Sequence, residues 1–139
     1  NQRREKRLFL NSLSKNHKRQ FMELAVKAAE INGTVELAER NMLKAYGMEM
    51  EITPIYTSDS NIEDVLQKMK TDATESELKI VLFELMGILV SDKEFDEAEK
   101  EFLEKVRNSF CISQEKCDEL LKLLYEYSLI YQKIVAAVL

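Results

Sequence analysis

Apolar residues recur along most of the chain at spacings of three and four, which is the pattern of amphipathic helices. No stretch alternates apolar and polar residues with the period of two that a strand requires. The predicted fold is therefore all-α with six or seven helices. Their approximate spans are 15–31, 36–48, a short helix around 65–69, a central helix that includes 80–90, 96–109, and a long C-terminal helix over 114–138.

Residues that favour helix N-termini stand at several predicted starts. Ser14 and Ser113 precede the first and last helices, and Asn32 with Gly33 ends the first. Residues 51–60, which include Pro54, form the best loop candidate. Three pairs have the spacing of a capping box, in which two side chains satisfy the free amides of a helix start: Ser60 with Glu63, Thr74 with Glu77, and Asp96 with Glu99.

The central stretch 80–90 contains only one charged residue, Glu84. Eleven residues are too few to cross a bilayer, which takes ~20, so the stretch is expected to form the centre of a helical core. Glu77, Glu84 and Ser91 are spaced by seven and share one narrow stripe with Gly87. We expect Glu84 at the edge of a solvent-facing stripe, whereas a buried Glu84 with a raised pKa would mark a site.

An internal repeat emerges when residues 21–52 are shifted by sixty onto 81–112. Four positions are identical, and the pairs with similar residues fall on helix, turn and helix in phase. Small Ala25 and Ala28 in the first copy would offset large Leu85 and Ile88 in the second, which keeps the core filled. The repeat predicts two helical hairpins related by a pseudo-two-fold axis, followed by the long C-terminal helix.

Charge is distributed unevenly along the 139 residues. Residues 1–19 carry seven basic residues against one acidic residue, whereas the remaining 120 carry thirteen basic and 24 acidic residues. We therefore divide the chain into a basic N-terminal arm, residues 1–13, and a single helical domain, residues 14–139. The acidic body disfavours nucleic acid as the main partner, because no further surface faces phosphate. The arm is expected to be solvated or to dock on the acidic body.

Histidine and cysteine are too few for several kinds of site. His17 is the only histidine, and Cys111 and Cys117 are six residues apart with no CxxC motif. This composition disfavours zinc sites of the Cys/His type and Ser-His or Cys-His catalysis. The sequence also lacks a Gly-rich phosphate loop, so an enzyme is not expected. With no signal peptide or transmembrane segment recognised, the expected location is the cytoplasm.

The segments FMELAVKAAEINGTVELAERNMLKAYGMEM and LMGILVSDKEFDEAEKEFLEKV resemble the TerB-like domain, a helical module named from bacterial tellurite resistance. That family combines an Ala-rich apolar helix, a turn of the type Asp-Gly-x-Val/Ile and an acid-rich helix start. The resemblance covers about residues 9–131 and departs from the pattern twice. Asn32-Gly33 keeps the glycine but loses the acid, and Asp92-Lys93 keeps the acid but loses the glycine.

The resemblance implies an all-α module linked to tellurite resistance or other stress responses, and some members are reported to bind divalent cations through acidic residues. Candidate ligands for Ca²⁺, Mg²⁺ or Mn²⁺ in this chain stand at the two turns: Asp92, Asp96, Glu99, Asn32, Glu36 and Glu39. The spacing is not that of an EF-hand, because Glu97 occupies the position of the invariant glycine. Capping is the competing explanation of the same acids, and Asn32 weakens the metal hypothesis.

Two functions stay open. The first is a non-enzymatic module that docks protein partners, with the C-terminal helix as a surface for a partner or for a second copy, because residues 136–139 leave it apolar on more than one side. The second is a divalent-cation binding domain that uses the acidic turns. Cation binding is the only cofactor requirement that the sequence raises.

Overall fold

A computed structural model describes residues 9–31, 33, 35–90 and 96–139. Within these residues the chain forms six α-helices and no strand, which confirms the predicted all-α fold. A short 3-10 helix, Leu10–Ser12, precedes them. The α-helices are α1 (Lys15–Ala29), α2 (Leu37–Met50), α3 (Ile62–Asp72), α4 (Glu75–Val90), α5 (Glu97–Ser109) and α6 (Gln114–Val138).

The helices pack as two hairpins joined along their first members. α1 contacts α2, α4 contacts α5, and the most extensive contact lies between α1 and α4. α3 packs across α1 and α5, and α6 packs against α4. Both members of one equivalent pair are fully buried: the small Ala25 of α1 and the large Leu85 of α4. This agrees with the prediction that small residues in the first hairpin offset large ones in the second. The two hairpins of the sequence repeat are therefore present as packed units.

The repeat extends to the helix ends. α4 begins sixty residues after α1, and α5 begins sixty residues after α2. Glu51 and Cys111, also sixty apart, follow α2 and α5 in the left-handed backbone region, with φ of 60° and 58°. Matching hydrogen bonds close the two ends, from Ile52 N to Gly47 O at 2.9 Å and from Ile112 N to Arg107 O at 3.1 Å. Equivalent segments thus share backbone geometry where few side chains are identical, although the two-fold axis itself stays a prediction.

One predicted capping box is wrong. Asn61, not Ser60, caps α3, because its side-chain oxygen accepts from the N–H of Asp64 at 3.1 Å. The N–H of Ser60 donates instead to the hydroxyl of Ser58 at 3.1 Å. The box at Thr74 is confirmed, since the Glu77 N–H donates to the Thr74 hydroxyl and the Thr74 N–H donates to Glu77, each at 3.1 Å.

The core includes residues that precede the first long helix. Leu10 and Leu13, which were predicted to belong to the basic arm, are buried. Phe9 stacks edge-on against Phe83 of α4, with ring centroids 6.3 Å apart. The 3-10 helix contacts α2 and α4, so packing begins upstream of residue 14. In the part of the chain that the structure describes, no helix combines the length and the apolar character that a membrane span needs.

Candidate functional site

The acids at the starts of α2 and α5 form caps. The N–H of Asp96 donates to Glu99 at 2.9 Å, and the N–H of Glu99 donates to Asp96 at 2.8 Å. At the equivalent start of α2, the N–H of Glu36 donates to Glu39 at 2.8 Å. Glu99 is buried in this role. Capping therefore accounts for four of the six predicted cation ligands.

The predicted cation site as a whole is not assembled by the described residues. Among them, no group of three or more His, Cys, Asp or Glu side chains is placed to hold a metal ion. Asn32 and Asp92 lie outside the described residues, so their part in the hypothesis stays a prediction. What the structure brings together is each capping pair within its own helix start: Glu36 with Glu39, and Asp96 with Glu99.

Replacing Asp96 with alanine is expected to lower the free energy of unfolding by about 1 kcal/mol, because one N–H of α5 loses its acceptor. Urea unfolding measures the loss, and Glu101→Ala, an exposed carboxylate on the same helix, serves as the control. The loss should be the same with and without millimolar Ca²⁺, Mg²⁺ or Mn²⁺. A loss that grows when the cation is added would favour the metal hypothesis over capping.

A polar clasp joins the N-termini of α1 and α4. We define it by Ser14, His17, Thr74 and Glu77. One carboxylate oxygen of Glu77 accepts from the N–H of Ser14 at 2.9 Å and lies 3.1 Å from His17 Nδ1. The other accepts from the N–H of Thr74 at 3.1 Å. Glu77 therefore satisfies free amides of both helices at once, so it ties the first hairpin to the second.

Electrostatics favours an ionised Glu77 in the clasp. Burial disfavours its charged form, but the N–H donors of Ser14 and Thr74 and the contact with His17 outweigh it. Together they hold the pKa of Glu77 below its ordinary value. The clasp thus depends on a charged carboxylate.

The clasp does not have the geometry of a catalytic triad. Ser14 Oγ lies 2.6 Å from His17 Nδ1, the same nitrogen that faces Glu77. A proton relay needs the two ring nitrogens to serve different partners, one the nucleophile and the other the acid. In addition, His17 is buried within the bundle. These contacts make the clasp a joint between helices rather than a relay.

Glu84 is buried, at 3% exposure, so the prediction of a solvent-facing position is wrong. The N–H of Phe9 donates to its carboxylate at 3.3 Å. The N-terminal segment therefore covers the position of Glu84 that was expected to face water, because Leu10–Ser12 packs on α4. The contact with Phe9 indicates that Glu84 helps to fix the N-terminal segment on the bundle.

An open groove of about 520 Å³ lies between α1, α3 and α5. Apolar Ile31, Ile62 and Phe102 line it, and the side chains of Lys105 and Glu63 pair at 2.8 Å on its edge. Both partners of that pair are about half exposed, so it adds little stability. Of the described residues that line the groove, no polar one is buried, and no converging set of polar groups indicates a ligand.

Among the residues that the structure describes, most of the exposed large apolar side chains lie in or next to the C-terminal half of α6, residues 125–138. Only Cys117 and Leu124 of α6 are buried, and no side chain from residue 125 onward is. Large apolar side chains are exposed here to about half of their surface or more: Tyr125, Leu129, Ile130, Ile134 and Val138, with Leu123 one turn earlier. We call Leu123, Ile130 and Ile134 the α6 ridge.

Comparison of the chain with models of known families, with curated proteins and with solved structures finds no match. The class of protein is therefore defined by its own fold and surfaces, as a bundle of two helical hairpins with a long, partly uncovered C-terminal helix. The TerB-like resemblance stays an expectation from the sequence.

Proposed function

We propose that this chain is a non-enzymatic, TerB-like interaction module that docks a protein partner along the C-terminal half of α6. The observation that carries the proposal is the α6 ridge, since Leu123, Ile130 and Ile134 are 48%, 56% and 55% exposed. Covering a half-exposed leucine or isoleucine contributes about 1 kcal/mol. Scattered apolar side chains are normal on a surface, but a contiguous patch marks an interaction site.

The arrangement along α6 also favours a helical partner. Ridge residues recur at i, i+7 and i+11, the spacing by which a helix presents anchors to another helix. A stacked pair, Tyr127 and Tyr131, stands beside the ridge with ring centroids 6.4 Å apart. Rigid aromatic side chains are common in the centres of protein interfaces. The family resemblance implies a context for this docking, a response to stress or to tellurite.

A photo-crosslinking amino acid at position 130 tests the proposal in cells that express the full chain. We expect a discrete protein adduct from position 130 and none from position 101, which is exposed on α5. The adduct should disappear when Ile134→Asp is added, because the substitution places a charge on the same ridge. Equal adducts from both positions, or an adduct that survives Ile134→Asp, would contradict docking on α6.

The alternative function is divalent-cation binding. It is supported by the family resemblance and by the acidic turns, although the described acids already serve as caps. Titration calorimetry with millimolar Ca²⁺, Mg²⁺ or Mn²⁺ tests it on the wild-type chain. Heat that saturates at a defined stoichiometry, and that is lost in Asp92→Asn, would favour this alternative.

A further inference from the structure

We infer that the partner on α6 is a second copy of this chain, bound antiparallel along residues 123–138. This inference rests on the proposed docking surface and specifies its occupant. Its basis is the position of two charges, Glu126 and Lys133, relative to the α6 ridge. Both side chains lie on one flank of the ridge. Helix geometry lets each of them face the opposite charge of a second copy only when the two helices run antiparallel.

Glu126 and Lys133 lie beside the α6 ridge, on the flank that faces away from the bundle. Each residue turns the helix by about 100°, so Leu123, Ile130 and Ile134 fall within an arc of about 40°. Glu126 and Lys133 are seven residues apart and therefore within about 20° of each other. Both lie about 60° to 80° from Leu123, on the side of the ridge away from the buried Leu124. The flank is thus free of the bundle on which α6 packs.

An antiparallel pair uses these charges favourably. When two copies of α6 cross with the centre between Leu129 and Ile130, Glu126 of each copy is level with Lys133 of the other. A two-fold axis brings the same flank of each helix together, so both Glu126–Lys133 pairs form at once. In a parallel pair the two-fold axis runs along the helices, so the charged flanks of the two copies lie on opposite sides of the contact and the Glu126–Lys133 pairs do not form. Charge therefore selects the antiparallel arrangement.

Glu126 already has a weak partner within α6. Lys122 lies one turn earlier, with its ammonium nitrogen 3.8 Å from the Glu126 carboxylate, and both side chains are more than half exposed. Such an i,i+4 pair contributes little and is easily rearranged. Glu126 can therefore contact Lys133 of a second copy without losing a strong interaction.

A membrane surface fits α6 less well than a second copy. Helices that lie on membranes carry lysine and arginine along their polar face. The polar flank of the α6 ridge instead carries Glu119 and Glu126 among Lys122 and Lys133. This mixture of signs favours a complementary protein surface over an anionic bilayer.

The expected dimer is weak. Residues 125–138 form about 21 Å of helix, so two such segments bury an area at the low end for specific interfaces, below about 1,200 Å². The net charge of −5 on each copy adds a repulsion that salt of about 0.15 M screens in part. We expect a dissociation constant on the order of 10 µM.

Sedimentation velocity of the full chain from about 1 to about 200 µM measures this constant. Ile130→Asp should weaken the dimer at least about thirtyfold, because it places a charge at the centre of the apolar contact. Lys122→Gln is the matched control on the same helix, and it should leave the constant within about twofold. Melting temperatures should stay within ~2 °C of wild type, since none of the altered side chains is buried.

Charge reversal tests the register. Glu126→Lys and Lys133→Glu should each weaken the dimer about tenfold, because two attractive pairs become two repulsive ones. The double variant should restore the wild-type constant, and an equimolar mixture of the two single variants should form the mixed dimer preferentially. Restoration by the double variant is specific to the pairing, since damage to the fold of α6 would add up rather than cancel.

Three outcomes would overturn the inference. The first is a wild-type chain that stays monomeric at about 200 µM. If position 130 nevertheless forms an adduct with another protein, only the dimer is refuted and the proposed docking function still holds. A dimer that tolerates Ile130→Asp and both charge reversals uses another surface. Binding of the monomer to vesicles with about 30% anionic lipid, if lost in Ile130→Asp, would assign the ridge to a membrane surface instead.

Discussion

Replacing Gly47 with valine is expected to lower the free energy of unfolding by about 3 kcal/mol. A Cβ atom at this position would lie 2.9 Å from the carbonyl oxygen of Ile52 and 3.1 Å from two carbons of Pro54. Those neighbours are backbone and a proline ring, so they cannot rotate away as a flexible side chain would. The strain exceeds the small gain in helix propensity that valine has over glycine.

Chemical denaturation measures this loss, and Met48→Val provides the matched control. Met48 follows Gly47 in α2 and is 71% exposed, so its replacement tests the helix propensity of valine without the close approach. We expect the control to cost about 0.5 kcal/mol. A Gly47→Val protein as stable as the control would show that residues 52–54 do not pack against α2 in solution.

The same place in the second hairpin shows why the repeat is faint in sequence. Arg107 stands where the first hairpin has Gly47, and its guanidinium donates to the carbonyl of Ile112 at 2.7 Å. In the first hairpin, the equivalent carbonyl of Ile52 lies against the bare backbone of Gly47. One backbone turn is therefore stabilised in two ways, and sequence identity is lost while geometry is kept.

Most of the fold could be predicted from apolar spacing and from caps. Thr74, Asp96 and Ser113 stand at helix starts as the sequence indicates, because capping depends on residues close in sequence. Glu84 could not be placed in this way. Its burial depends on the segment around Leu10, which is far away in sequence and was assigned to an arm on the basis of charge.

The clasp was missed because its partners are about sixty residues apart, beyond the reach of any helical period. The shift of sixty that defines the repeat could have found it, had it been extended to the residues before 21. Shifting by sixty superposes Ser14 on Thr74 and His17 on Glu77, and one of these equivalent pairs, His17 and Glu77, is in contact at 3.1 Å in the structure. Contact between equivalent positions is what a two-fold axis between two units produces. The clasp therefore supports the predicted pseudo-symmetry.

Replacing Glu77 with alanine is expected to lower the free energy of unfolding by about 2 kcal/mol at pH 7. The substitution removes a charged acceptor from the N–H groups of Ser14 and Thr74 and from His17. The two helices then lose the contact that joins their N-termini. Urea unfolding at several pH values measures both the size of the loss and its dependence on pH.

The expected pH dependence follows from the direction of the pKa shift. Glu77 has a lowered pKa in the folded chain, so its contribution is fully present above its unfolded pKa of about 4.3. That contribution decreases as the pH falls through the lower, folded pKa. The difference in stability between wild type and Glu77→Ala should therefore be constant from pH 7 to about pH 5 and shrink below about pH 4.

Glu75→Ala is the matched control for Glu77→Ala, because Glu75 is an exposed carboxylate in the same first turn of α4. Both substitutions change helix propensity and the charge near the helix N-terminus equally. The control should cost no more than about 0.5 kcal/mol. If the two variants were equally stable, the clasp would contribute nothing beyond ordinary charge at a helix start. The excess loss in Glu77→Ala could also stay unchanged down to pH 3. It would then arise from packing, because protonation at low pH removes the charge of the carboxylate but leaves packing contacts in place.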